Sequence, residues 1–194
     1  MADSTSLEFA RTHTSVVVDL TRQLNNVALT TLHTLHRGQL NVWGNSLPAE
    51  ALPAKDLTVD GITFALARGD GSEPDNIRCA GQHLDLPPTP GTWLHLVAGS
   101  ERRCEEFVYL HYASGAVDPE WLRVSDFWPA RPHFGELPAV RTTQMHYPHH
   151  CQEQLGGQLW AVRVPVRRRE PLCGLGLPDN PALHVFALSI EGVR

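Results

Sequence analysis

His146-Tyr147-Pro148-His149-His150-Cys151 places three imidazoles and a thiol within six consecutive residues. Imidazole nitrogen and thiolate sulfur are donors that zinc and copper accept, so His146, His149, His150 and Cys151 are the candidate metal set. This is not a helical His-x-x-x-His pair, because Pro148 interrupts regular backbone between His146 and His150. No metal is therefore the first expectation, and two other readings stand beside it. One is a polar loop whose histidines bond to neighbouring groups. The other is a ligand or catalytic loop that works without metal, with His111, His146, His149 and Asp126 as acid–base candidates, because imidazole titrates near neutral pH. His33 and His36 offer a proton shuttle in a separate Leu- and Thr-rich segment.

A sugar-binding surface makes different demands: an exposed ring for the apolar sugar face, and planar amides, carboxylates or guanidinium groups for the hydroxyls. Trp43, Trp128 and Trp160 supply rings, and Asn25, Asn26, Asn45, Asp126 and Arg141 supply partners. Trp43, between Asn41 and Asn45, has the least core-like surroundings. Trp160, inside an apolar run, has the most, since large aromatics dominate core burial. His133 and His146 join the expected ligand-binding set from the histidine-rich region. His111, beside Tyr109, lies within an apolar strand and is open to facing a binding concavity instead, and His95 and His184 are expected in the core or at strand ends.

The elements that must position these groups are short. Fifteen glycines and fifteen prolines cut the chain into pieces too brief for many helices. Strands are expected over residues 14–20, 40–43, 62–67, 82–86, 92–98, 106–112, 121–125, 158–166, 172–177 and 183–190. In the strand at 106–112, Phe107, Tyr109 and His111 share one face and Val108, Leu110 and Tyr112 the other, which is the period of two of a pleated strand. Both faces are largely apolar, so it belongs in the middle of a sheet. Asp60-Gly61 between Val59 and Ile62 is a strong hairpin signal. Residues 24–35 carry a leucine pattern open to a short helix or to a loop or strand excursion. Residues 128–157, with four prolines and three glycines, read as a long loop, where function concentrates. The expected organisation is a flexible leader at 1–13 and one β-sandwich domain at 14–194.

Several motifs resemble the galactose-binding-like (discoidin or jelly-roll) β-sandwich modules appended to bacterial glycoside hydrolases. The most specific is Leu177-Pro178-Asp179-Asn180-Pro181-Ala182-Leu183-His184-Val185-Phe186-Ala187-Leu188, which looks like that module's closing strand. Others are Val18-Asp19-Leu20 with Leu24-Asn25-Asn26, Leu47-Pro48-Ala49-Glu50, Val59-Asp60-Gly61-Ile62, Pro74-Asp75-Asn76-Ile77 and Ser125-Asp126-Phe127-Trp128. They follow the family's order across nearly the whole chain. The resemblance implies an all-β antiparallel sandwich of jelly-roll type with at most one or two short helices. It also implies a non-catalytic carbohydrate- or glycan-binding module whose ligand is held by loops at one end. A structural calcium, in Asp19, Glu50, Asp75, Asp179 or Glu191, is a further implication. The family's Gly- and Asp-rich loop is replaced here by the Leu-, Thr- and His-rich stretch 27–43. That departure supports an alternative, a stand-alone small-molecule tailoring enzyme of cyclase or isomerase type in a biosynthetic pathway, with a His or Asp as acid–base group. A protein-interaction module is a third class.

Bulk properties narrow the partners. A net charge of −5 argues against nucleic acid, which needs a basic face. Arg167-Arg168-Arg169 is the one basic run, read as a solvated turn or else an anion contact. No apolar run is long enough to cross a bilayer, and the first residues carry no secretory h-region. A cytoplasmic protein with a carbohydrate or small-molecule ligand and no cofactor is expected. The four cysteines, with no CxxC spacing, are expected as free thiols.

Overall fold

The alternation along 106–112 sets the architecture: Val108, Leu110 and Tyr112 are buried, while Phe107 and Tyr109 on the opposite face are exposed. The computed structural model describes residues 14–53, 56–128 and 131–192, and the expected leader lies outside them. The first half holds β1 (Ser15–Val18), β2 (Leu29–Thr30), a 3-10 turn (Leu35–Arg37), β3 (Leu47–Pro48), a second 3-10 turn (Ala49–Ala51), β4 (Leu57–Val59), β5 (Ile62–Phe64) and β6 (Ile77–Arg78). Long strands follow: β7 (His83–Thr89), β8 (Trp93–Ser100), β9 (Cys104–Tyr112) and β10 (Val117–Val124). Then come β11 (Leu137–Arg141), β12 (Gln144–Tyr147), β13 (His150–Glu153) and β14 (Gln158–Pro165), and β15 (Leu172–Gly176) and β16 (Leu183–Glu191) close the fold.

The result is an all-β sandwich of two antiparallel sheets. The larger runs β1-β16-β8-β14-β11, with β6 also paired to β16, and the smaller runs β10-β9-β15-β7. As its two-sided apolar pattern requires, β9 is central, between β10 and β15. Inward residues of both sheets, among them Leu96, Leu110, Leu122, Trp160 and Leu188, form one buried cluster. The Trp160 indole donates to the Asp126 carbonyl at 2.9 Å, which satisfies its only polar group inside that core.

A second buried cluster lies on the far side of the larger sheet. Val97, Leu159, Phe186 and Ala187 on its outer face pack under Leu29, Leu40, Leu47, Phe64 and Met145. The irregular first half and the β12–β13 hairpin therefore form a cover layer. Side chains stand in for missing ladder bonds there: the Asp75 carboxylate accepts the amides of Ala28 at 3.0 Å and Leu29 at 2.9 Å. Among the described residues no helix is long and apolar enough to cross a membrane.

Two local expectations, at 40–43 and 128–157, differ from the structure, and the open one at 24–35 is decided for a strand excursion. Residues 40–43 form a turn, because Asn41 Oδ1 accepts the amides of Trp43 and Asn45, both at 3.1 Å, and so competes with a strand ladder. Residues 24–35 form no helix beyond the start of the 3-10 turn at Leu35–Arg37 and contribute the two-residue β2 instead. The long loop at 128–157 contains β11, β12 and β13. Pro148 and His149 make the two-residue turn between Tyr147 and His150, so the proline sits where a turn tolerates it and strands continue on both sides.

Candidate functional site

Outward residues of β8 alternate Trp93, His95, Val97, and the cover layer closes over Val97 but stops short of the other two. Their neighbours follow from register. His95 stands opposite Arg163 on β14 and Ser189 on β16, and Trp93 stands opposite Pro165 and Glu191. Each β8 side chain then reaches diagonally. His95 Nε2 meets Glu191 Oε2 at 3.0 Å, and the Arg163 guanidinium lies 4.6 Å from the centre of the Trp93 ring. Diagonal neighbours on one sheet face are close enough for such long side chains.

These residues floor a cleft of about 530 Å³. One wall is the β4–β5 hairpin, through Val59, Ile62 and Phe64. Its turn is Asp60-Gly61 with φ of 48° and 77°, the two positive values that a two-residue hairpin loop demands. Another wall is the rim Phe134–Leu137, held by Glu136, whose buried carboxylate accepts the amides of Ser125 at 2.7 Å and Phe134 at 2.8 Å. Strand β11 stops at Leu137 opposite Ala161, so β14 runs on from Val162 with its edge open toward β10. There Trp121 and Arg123 complete the lining.

The charges in the cleft are mostly paired. Arg167 bonds Glu120, and Arg123 reaches Glu105 at 3.1 Å. The His95–Glu191 pair is largely shielded, with side chains 14% and 17% exposed. A shielded imidazole hydrogen-bonded to a carboxylate is equipped to move a proton.

The outer face of the smaller sheet is a second surface. Phe107 and Trp121 are cross-strand partners with ring centres 4.1 Å apart, and Tyr109 follows two residues on. Strand β15 presents Gly174 and Gly176 to this face, and an added Cβ at Gly174 would lie 2.6 Å from the His83 ring. Across that bare strand the His83 and His111 rings meet edge-to-face at 4.5 Å. Burial, with help from the neighbouring His83, lowers the pKa of His111.

The model of the AziU2-like beta-sandwich domain matches residues 13–193. The chain belongs to the AziU2-like β-sandwich domain family. No curated protein matches it. The family description names the sandwich and agrees with the architecture above.

Within this AziU2-like domain the ligand and catalytic residues expected from sequence are dispersed. Asn25 pairs both ways with the backbone of Arg78, at 3.2 and 2.8 Å, and acts as a strand surrogate. Asn26 is buried against Asn76, and Asn45 is buried with its amide 3.6 Å from Met145 Sδ. Trp43 is 62% exposed at its turn, while Trp128 packs half-buried on Phe127. Asp126 is half-buried, His133 is exposed, and Arg141 is exposed with its Nε on Gln158 at 3.1 Å. His33 is exposed just before the first 3-10 turn and His36 is exposed within it.

The histidine cluster opens out in the same way. His146 points inward, fully buried, with Nδ1 2.8 Å from Thr30 Oγ1, and burial lowers its pKa. His149 is exposed in the turn, His150 stacks on Tyr147, and Cys151 stands opposite His146 in the ladder. Among the described residues no three ligating groups converge for a metal. The five acids considered for calcium do not fit it either. Asp19 binds Thr21, Glu50 lies near Gln144, Asp75 serves backbone amides, Glu191 pairs with His95, and Asp179 is exposed.

Of the cleft's own residues, the sequence suggests a core or strand-end place for His95 and a calcium role for Glu191, and it marks none of Trp93, Trp121 and Arg163 for a site. The available signal was the outward pair Trp93 and His95 on a strand with an apolar inner face. His184 is buried as expected, and Arg168 of the basic run forms a two-bond pair with Asp118 at 2.7 and 2.8 Å.

Proposed function

We propose that this AziU2-like domain binds a small organic metabolite of a biosynthetic pathway in the cleft, with His95–Glu191 as its acid–base pair. The carrying observation is the convergence of Trp93, Trp121, His95, Glu191 and Arg163 where the cover layer ends. Aromatic side chains give such a site apolar surface, and charges mostly paired with one another leave a few polar groups to orient a ligand. The chemistry such a pair supports is proton transfer, as a cyclisation or isomerisation needs. The test is a fragment screen followed by amide and indole NMR. Ligands should shift Trp93, His95 and Trp121 together, and shifts confined to other surfaces would refute the cleft. Turnover of a pathway intermediate lost in His95→Asn, with binding retained, would support the enzymatic role.

A second reading, carbohydrate or glycan binding, is favoured by a different observation. Phe107, Tyr109 and Trp121 are 42%, 47% and 45% exposed on one face of the smaller sheet, where a sugar ring can stack. On this reading a sugar would stack on a sheet face rather than be held by end loops. A glycan array read with the intact chain and with Phe107→Ala and Tyr109→Ala tests it: binding unaffected by both changes, or no binding at all, removes this reading.

A further inference from the structure

Three arginines line the cleft, and two of them are spoken for. Arg123 is engaged by Glu105 and Arg167 by Glu120. The third, Arg163, has no carboxylate partner among the described residues and lies over the face of Trp93. A guanidinium over an indole face is attracted by the ring, and that contact leaves its N–H donors unspent. Those donors form a planar fork that matches a carboxylate with two parallel bonds.

The acids of the cleft do not neutralise this charge locally. Glu136 is turned to backbone amides, Glu120 to Arg167, and Glu191 to His95. Asp60 is exposed at the tip of the β4–β5 turn. Apart from the paired His95 and Glu191, the floor and wall nearest Arg163 offer apolar surface: Trp93, Pro165, Ala161, Ile62 and Phe64. One unpaired cation stacked beside an apolar surface selects for a ligand with an anionic head and an apolar body.

We infer that the cleft takes amphipathic organic carboxylates, with the carboxylate on the Arg163 fork and the apolar body along Trp93 toward Trp121. This assignment rests on the cleft reading proposed above and adds the class of ligand. Solvent reaches Arg163, so charge alone adds little there. The selectivity comes from a bidentate pair formed where the apolar body has already displaced water.

The experiment compares two probes of one shape, 3-phenylpropanoate and 3-phenylpropanamide, titrated into the intact chain and into Arg163→Gln. Calorimetry gives affinity, and the Trp93 indole resonance reports location. The carboxylate should bind about tenfold more tightly than the amide, the size of a charge-assisted hydrogen-bond contribution. Arg163→Gln should erase that preference while the amide still binds at Trp93. Equal affinity of both probes at Trp93, or a preference that survives Arg163→Gln, overturns the carboxylate assignment and leaves the cleft standing. If neither probe moves Trp93 in a folded protein, the assignment and the cleft reading fail together.

Discussion

Asp75 and His184 are joined through one side chain, that of Asn76, inside the cover layer. Asn76 Nδ2 donates to Asp75 Oδ1 at 2.8 Å, and Asn76 Oδ1 lies 2.8 Å from His184 Nδ1. All three residues are buried. Burial pushes the Asp75 carboxyl up to about 6, against the pull of Asn76 and the amides of Ala28 and Leu29. Burial, with Arg78 nearby, pushes the His184 imidazole down to about 3. Burial thus favours the neutral form of both groups, the acid below about pH 6 and the base above about pH 3.

Opposite pH slopes follow for the two groups. Asp75 has a folded pKa above its ordinary 3.8, so its contribution to stability is full below that value and is lost as pH rises through about 6. His184 has a folded pKa below its ordinary 6.5, so its contribution is full above that value and is lost as pH falls toward 3. Between about pH 4 and 6 one proton is gained and one lost on unfolding, and the two slopes cancel. Urea unfolding at several pH values should show this directly. Relative to wild type, Asp75→Asn should become more stable with rising pH by about 1.4 kcal/mol per unit, and His184→Asn less stable at the same rate. Parallel curves for all three proteins would refute the linkage.

The His83–His111 contact makes a separate prediction for the smaller sheet. His111 is held below its usual pKa first by burial and second by the charge His83 would carry. His83→Ala removes the second cause and exposes the ring, so the His111 pKa should rise toward its ordinary 6.5. Imidazole NMR titration of both proteins measures it. An unchanged or lowered value would mean that the two rings do not sense each other.

How much was legible depended on whether the deciding physics is local. The Asp60-Gly61 turn was readable because two adjacent residues must both accept positive φ. The central place of β9 was readable from its own alternation. The β12–β13 hairpin was not, since its pairing is secured from outside: His146 and Ser46 exchange backbone bonds at 2.9 Å, and Met145 fills the cover-layer core. Residues 40–43 have the apolar content of a strand, and the Asn41 side chain, by taking the amides of Trp43 and Asn45, decides for a turn. The cleft was the least legible part. Trp93, Arg163 and Glu191 lie on three strands, and only the register of β8 with β14 and β16 brings them together. The motif resemblance spoke for the sandwich and placed its ligand groups in loops, where the structure scatters them.

Two glycines near β11 should respond very differently to alanine. At Gly156 an added Cβ would lie 1.8 Å from the Thr142 carbonyl oxygen, which is backbone and cannot swing aside. Gly156→Ala should therefore destabilise the protein by about 3 kcal/mol or more, as backbone clashes in buried positions do. At Gly135, φ is 79° and the space around a Cβ is open. Gly135→Ala should cost only about 1 kcal/mol, the penalty of a left-handed conformation for a residue with a Cβ. Thermal or urea unfolding distinguishes the two, and equal costs would contradict the packing around β12.

Ser189 ties the cleft's wall to its floor. Its buried hydroxyl donates to the Thr63 carbonyl at 2.6 Å and so fastens β5 onto β16 beside His95. Ser189→Ala leaves that carbonyl without its donor, a loss of about 1–2 kcal/mol. The cost should be felt locally first, because the β4–β5 hairpin has only three residues in each strand and depends on what it packs against. Amide hydrogen exchange in β4 and β5 should quicken in Ser189→Ala while β9 and β15 of the smaller sheet keep their protection. Ligands that shift Trp93 should also bind more weakly, since Ile62 and Phe64 would no longer be held over the floor. Exchange that stays unchanged in the hairpin would show that apolar packing alone secures this wall.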